Sequence, residues 1–485
     1  MLTRTLALGC AVLLGIAQST QGQAPQPTNP PPGAKLELSS ASDAAKAEFW
    51  LGLDDWQNFT YSSAQKHFER AASLDPSFGL ARAFAAAAPA INGAPVATAE
   101  LDRGIGDAAR ASTAEGVLAL AWREKAFGRN AAATSLFRTA MDLMPNEPRI
   151  ASEYIWSLAA TGDMKAALEA GKAARAKFPT SGPISPALSY VLLQSGDTAA
   201  AVAEAQRYTQ VAPTQPASFA TYGDFLRMQG RYDEAEAQYR RSVTFAPKHP
   251  DGGNDAVVGL ASLLVQRGKV AAARQTLTEA LQHATSAQDS LTYLDVLGGA
   301  SLYASDVPAA INTFETGSHL AGRASTGLAV FVPNSKLALM NAAYGDKKSV
   351  AKYLAPIHAI APGDSAQVEI WRGVAYAYAG QADSTLKYAD KLAARASNNP
   401  LMGRVAHFTR GQLYMTMRQC DKALGELRQS DSTWVEVQAA NAECEMQAGH
   451  REAAMRYRDL VVNRRDVNLY DPGEIRARLR MAQLR

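Results

Sequence analysis

Three aromatic residues recur at one interval. Trp122, Trp156 and Tyr190 are spaced by 34 and 34 residues, and Asp224 is the next residue in line. Lys125, Leu193 and Arg227 each follow a member of this series by three positions. On a helix, residues three apart share a face. Aromatic rings bury large areas at low entropic cost and are enriched at binding hot spots. A row of rings flanked by Lys, Asp and Arg suits an extended or helical peptide. The same rings could instead pack against a neighbouring helix, and the spacing by itself leaves both uses open.

Groups that would catalyse a reaction do not converge in this sequence. It has no HExxH, no GxSxG, no phosphate loop, no CxxC and no dinucleotide fingerprint. Gly363, Asp364 and Ser365 resemble the GDS block of some esterases, but they follow Pro362 in what reads as an inter-helix loop. Asp364 or Ser365 there suits a helix N-cap. The histidines, His67, His249, His283, His319, His358, His407 and His450, share no metal-ligand spacing. We expect no enzyme activity, no cofactor and no metal. Net charge is +3, from 49 Lys and Arg against 46 Asp and Glu. That balance lacks the basic footprint of a nucleic-acid partner. Three cysteines in 485 residues exclude a disulfide-dense scaffold.

The elements that would position the rings follow from the same period. Pro145, Pro179, Pro213 and Pro247 are each 34 apart; so are Gly128, Gly162, Gly196 and Gly230, and Ala133, Ala167, Ala201 and Ala235. Apolar residues at helical spacing lead to each Gly, which can adopt the left-handed conformation that ends a helix. A second helix follows, carrying the small Ala where two helices approach closely. The Pro ends it, because the residue before proline is driven out of the α region.

These columns resemble the tetratricopeptide repeat family, whose 34-residue helix-turn-helix carries a small residue at position 8, Ala at 20, an aromatic at 24 and Pro at 32. Counted from Pro216, those positions are Gly223, Ala235, Tyr239 and Pro247; counted from Ala45, they are Gly52, Ala64, Phe68 and Pro76. Units from Ala114, Pro148 and Gly182 keep the Ala and Pro, with Ile155 replacing one small residue and Gly171 and Ala205 replacing two aromatics. Pro76 and Pro145 are 69 apart, two periods plus one residue, so a degenerate unit fits between them with its insertion near 92–95. After Pro247 the phase loosens, with starts near Asn254, Leu291, Phe331, Ala366, Arg404 and Trp434 and helix stops at Gly268, Gly345 and Gly380. The expectation is an all-α, right-handed superhelical α-solenoid of about twelve helix pairs.

The resemblance implies that position 9, held here by Trp122, Trp156, Tyr190 and Asp224, points into a concave groove. With Lys125, Leu193 and Arg227, these form the expected peptide-binding surface. Relatives that clamp the acidic tails of cytosolic chaperones carry Asn at position 9, so that partner does not fit. The implied function is a scaffold or adaptor that binds protein or peptide. The alternative is a sensory module that holds a small molecule or glycan in the aromatic groove.

The ends of the chain have their own signatures. After Arg4, residues 6–17 (LALGCAVLLGIA) form an apolar run too short for a ~30 Å hydrocarbon core. It fits the h-region of a signal peptide at 1–22, so the protein is expected to be exported, periplasmic or secreted, with no transmembrane segment after processing. Five prolines in residues 24–33 predict a disordered linker over 23–41. The repeat array is expected over 42–470. Asp471, Pro472 and Glu474 then supply an N-cap, a first-position proline and an N3 acid for a capping helix over 471–485, which reads as a solvated closure of the array's open end or, through Arg476, Arg478, Arg480 and Arg485, as a basic docking surface.

Cys420 and Cys444 sit equidistant from a turn near Ser432, level in an antiparallel hairpin. An oxidising compartment would preserve a bridge between them, and closing that loop is worth roughly 3 kcal/mol in the chain-entropy model. Packed helix axes ~8–10 Å apart leave two buried thiols as the other reading.

Overall fold

The computed structural model describes residues 35–484 apart from 93–95, 246–253, 285, 325–326, 361–365, 398 and 465–467. The expected signal peptide, most of the linker, Pro247 and the 363–365 segment lie outside the described residues. Among the described residues, the regular structure is 25 α-helices with short 3-10 turns and no strand. Two units are distinguished, one ending at Gly259 and the other beginning at Leu260.

In the first unit, helices pair as α1 (Asp43–Gln57) with α2 (Tyr61–Leu74), α3 (Gly79–Ala87) with α4 (Thr98–Ala111), and α5 (Thr113–Ala126) with α6 (Asn130–Leu143). The next pairs are α7 (Pro148–Thr161) with α8 (Met164–Lys177), α9 (Ile184–Gln194) with α10 (Thr198–Val211), and α11 (Pro216–Met228) with α12 (Tyr232–Phe245). α13 (Asn254–Gln266) crosses the division. Successive first helices also meet, α3 against α5 and α7 against α9. The columns explain the stacking. Ala133, Ala167, Ala201 and Ala235 are all buried where helices cross. Tyr239 is fully buried between Gly223 and Gly259, where a β-carbon would come within 2.9 and 2.5 Å of its ring. Polar caps start the helices: the Asp163 and Asp197 carboxylates accept from Ala166 and Ala200 backbone N–H groups.

The Gly column supplies the turn within each pair. Gly128, Gly162, Gly196 and Gly230 have φ of +68°, +85°, +86° and +79°. In the first pair the same slot holds Phe59, at φ +61°.

The linker boundary needs correction. Residues 35–41 were expected to continue a disordered tether, yet Leu36 is buried and the segment is pinned. The Ser39 backbone N–H and hydroxyl both donate to the Glu115 carboxylate at 2.6 Å, and the Ser40 hydroxyl donates to Asp75 at 2.5 Å. Glu115 is fully buried in the first turn of α5. A buried carboxylate requires donors, and this segment provides them.

The second unit continues with α14 (Val270–Gln282), then pairs α15 (Ala287–Tyr303) with α16 (Val307–Ala324) and α17 (Gly327–Tyr344) with α18 (Val350–Ile360). It goes on with α19 (Ala366–Ala379) and α20 (Ala382–Ala394), α21 (Pro400–Thr416) and α22 (Cys420–Leu427), and α23 (Val435–Gln447) and α24 (Arg451–Val462). The period is irregular here because α15, α16, α17 and α21 run to 17 or 18 residues. Gly268 and Gly380 take left-handed φ, as does Gly449; Gly345 ends α17 without it. Cys420, at the start of α22, is joined to Cys444 of α23 by a disulfide, with Cα atoms 5.3 Å apart.

The last helix, α25 (Pro472–Gln483), begins where Asp471 accepts from the Gly473 and Glu474 backbone N–H groups at 2.8 and 3.2 Å. It is more than a solvated closure. It packs on α23 and α24 and also reaches α15 and α17, with Ile475 and Met481 fully buried.

Candidate binding groove

The first helices α5, α7, α9 and α11 carry the residues singled out by spacing. Trp122 belongs to the packed interior. It is 3% exposed, stacked on Phe84 with centroids 4.1 Å apart and tilted against Trp56 at 4.5 Å. This corrects its expected place among ligand-facing rings. α5 lies against α3, so the phenyl ring of Phe84 covers one face of the indole.

Trp156 and Tyr190 are only partly buried and form a continuous row. Their centroids are 5.7 Å apart, and Tyr190 meets Phe225 edge-on at 5.4 Å. Leu193, Asp224 and Arg227 are also partly exposed. The row ends in a polar cluster. The Tyr239 hydroxyl donates to Asp224 at 2.6 Å and accepts from Arg227 Nε at 3.3 Å. Burial pushes the Asp224 carboxyl up, against the pull of Arg227. Asp255, in the first turn of α13, is solvent-exposed and adds a second carboxylate near Asp224. The Tyr190 phenol is raised by burial and by the same two carboxylates. This end of the row is therefore polar, with Asp224 already holding the Tyr239 hydroxyl beside Arg227.

The other end is filled by the turn between α1 and α2, which spacing did not single out. Phe59 stands edge-on to Trp156, and the Gln57 side-chain amide donates to Glu153 at 3.0 Å. The Tyr208 hydroxyl donates to Asn58 at 3.3 Å. Lys125 pairs with Glu153 and lies 5.3 Å from the Trp56 ring and 5.1 Å from that of Trp122. A cation over an indole is held by the ring's quadrupole, so Lys125 is already engaged from within the chain. Arg149 fixes the approach of α1 through Asp54, at 2.5 Å. One sequence signal did mark Phe59: it precedes Gly128 by 69 residues, the offset between Pro76 and Pro145.

Among the described residues, no group of three or more His, Cys, Asp or Glu is arranged to hold a metal ion, and no helix is long and apolar enough to cross a membrane.

Residues 107–249 match the tetratricopeptide repeat family. No curated protein is significantly similar in sequence. Among solved structures, a thermophilic TPR protein of Thermus thermophilus is 21% identical over 37% of this chain and 96% of its own, with a TM-score of 0.32. A tetratricopeptide repeat protein of Parabacteroides merdae is 14% identical over 50% of this chain and 91% of its own, with a TM-score of 0.37. PilF of Pseudomonas aeruginosa is 16% identical over 45% and 93%, with a TM-score of 0.32.

Proposed function

Taking as premise that the chain is a tetratricopeptide repeat protein, we propose that it is an exported scaffold or adaptor that binds a protein or peptide on the inner face of its first unit. The carrying observation is the partly exposed row of Trp156, Tyr190 and Leu193 that leads to Asp224 and Arg227. A bound segment would lay apolar side chains along the two rings and direct a basic or donor group toward Asp224 and the exposed Asp255. Trp122 and Lys125 support this surface from behind rather than meeting the ligand. Export rests on the sequence of residues 1–22 and places the partner in the envelope or outside the cell.

Capture from envelope extract by wild-type protein and by Trp156→Ala tests this reading. Loss of one co-purifying protein with Trp156→Ala, at unchanged circular dichroism, supports it. Unchanged capture together with lost binding of a small ligand would replace it with the sensory alternative.

A further inference from the structure

In the second unit, the segment from Leu469 through α25 lies against α15, α17, α23 and α24. Leu469 is buried, and its carbonyl lies so close to Gly299 of α15 that any β-carbon there would overlap it. Tyr470 follows, its ring 5.5 Å from Lys336 of α17, which is itself paired with Asp295 of α15. On α25, Arg476 lies 5.7 Å from the ring of Tyr344 and 5.1 Å from that of Tyr378, on α17 and α19. Arg480, one turn on, pairs with Glu443 of α23. Guanidinium stacks on aromatic faces and forks onto carboxylates in ways an ammonium cannot. The two rings and the carboxylate thus read two arginines four residues apart, the spacing of one helix face. Ile475 and Met481 fill the apolar floor beside them.

The fit has a built-in cost. Docking brings Glu436 of α23 together with Asp471 and Glu474 at the start of α25. Glu436 Oε1, Asp471 Oδ1 and the Tyr378 hydroxyl lie 3.2, 3.2 and 3.6 Å from where a β-carbon on Gly473 would stand. Arg478 answers this charge through Glu474 at 3.0 Å, and the Arg464 guanidinium acts on both Glu436 and Glu474. Burial raises the Glu436 and Glu474 carboxyls, the mark of like charges held out of water. The helix is held by arginine contacts at the rim and opposed by carboxylates at its root.

We propose that this face of the second unit is a recognition site for an arginine-bearing amphipathic helix, and that α25 is its resident, displaceable occupant. A partner helix with arginines one turn apart and flanking apolar residues takes the same seat when α25 leaves. This site is separate from the aromatic row of the first unit and stands or falls independently of it.

The test uses the full chain and a fluorescent peptide with the sequence of residues 469–485. In the wild-type chain α25 competes with the peptide. Arg476→Ala with Arg480→Ala in the chain weakens the resident helix, so the wild-type peptide should bind that variant about tenfold tighter or more, as the competent fraction rises. A peptide carrying the same two substitutions should gain nothing. Equal binding by both chains, equal binding of both peptides, or no binding anywhere would overturn the proposal. If the variant chain no longer melts cooperatively, amide exchange on the wild-type chain decides: faster exchange in α25 than in α23 supports displacement, and equal protection refutes it.

Discussion

The ring of Phe59 stands edge-on to that of Trp156, with centroids 6.4 Å apart and planes at 80°. Its backbone occupies the left-handed slot that Gly fills at 128, 162, 196 and 230. A non-glycine residue in that conformation costs roughly 1–2 kcal/mol. The cost is offset by a side chain that seats the α1–α2 turn against the aromatic row.

Backbone strain and ring contact can be separated at this position. Phe59→Ala keeps the strain and loses the ring, whereas Phe59→Gly loses both. We expect the Gly variant to be the more stable of the two by about 1 kcal/mol, and both to leave the Trp156 indole more open to acrylamide quenching. Thermal melts that rank Ala at or above Gly would show that the left-handed turn is unstrained.

Trp122 and Trp156 should behave as different kinds of residue despite their shared register. Trp122→Ala empties a stacked, buried position and is expected to cost about 3–5 kcal/mol of stability. Trp156→Ala should cost less than half of that and show its main effect in partner capture. Denaturant melts of the two variants, side by side, check this, and equal losses would place both rings in the core.

Docking of α25 should weaken as pH rises. Glu474 has its carboxyl raised to about 7, chiefly by burial, from an ordinary value of 4.5. A raised carboxyl means that the folded state binds the proton more tightly than the unfolded chain. This contribution is therefore fully present below about pH 4.5 and is lost as pH climbs through about 7. The loss is on the order of 3 kcal/mol at most, at about 1.4 kcal/mol per pH unit. Melting temperature followed from pH 5 to pH 8 should fall in the wild type, with a shallower slope in Glu474→Gln. An upward slope would contradict the assignment.

The Cys420–Cys444 bridge ties α22 to α23 beside the Glu443 that receives Arg480. Mature, unreduced protein, unfolded in denaturant, should show no free thiol and run as a monomer without reductant. Two titratable thiols per chain would show that the bridge does not form. Reduction should lower the melting temperature, by a stability loss of roughly 3 kcal/mol.

Gly and Pro act within a turn or two of chain, so the 34-residue columns located the helix pairs of the first unit; starts at Pro148, Pro216, Asn254 and Ala366 are the first residues of α7, α11, α13 and α19, whereas those near Leu291, Phe331 and Arg404 fall inside α15, α17 and α21, where the period is lost. Register also put Trp156 and Tyr190 on adjoining helices, in contact. Register could not tell whether a ring at that position meets solvent or another ring, because that depends on what folds back across the inner face. Trp122 is covered by Phe84 and Trp56, Trp156 is met by Phe59, and the second unit is filled by α25. Phe84 and Trp56 stand in no column of the repeat, and Phe59 is marked only by its 69-residue offset from Gly128. Repeats specify nearest neighbours; the contacts of Phe59 with Trp156 and of α25 with α15 and α17 join residues far apart in sequence, and they exist only once the helices are stacked.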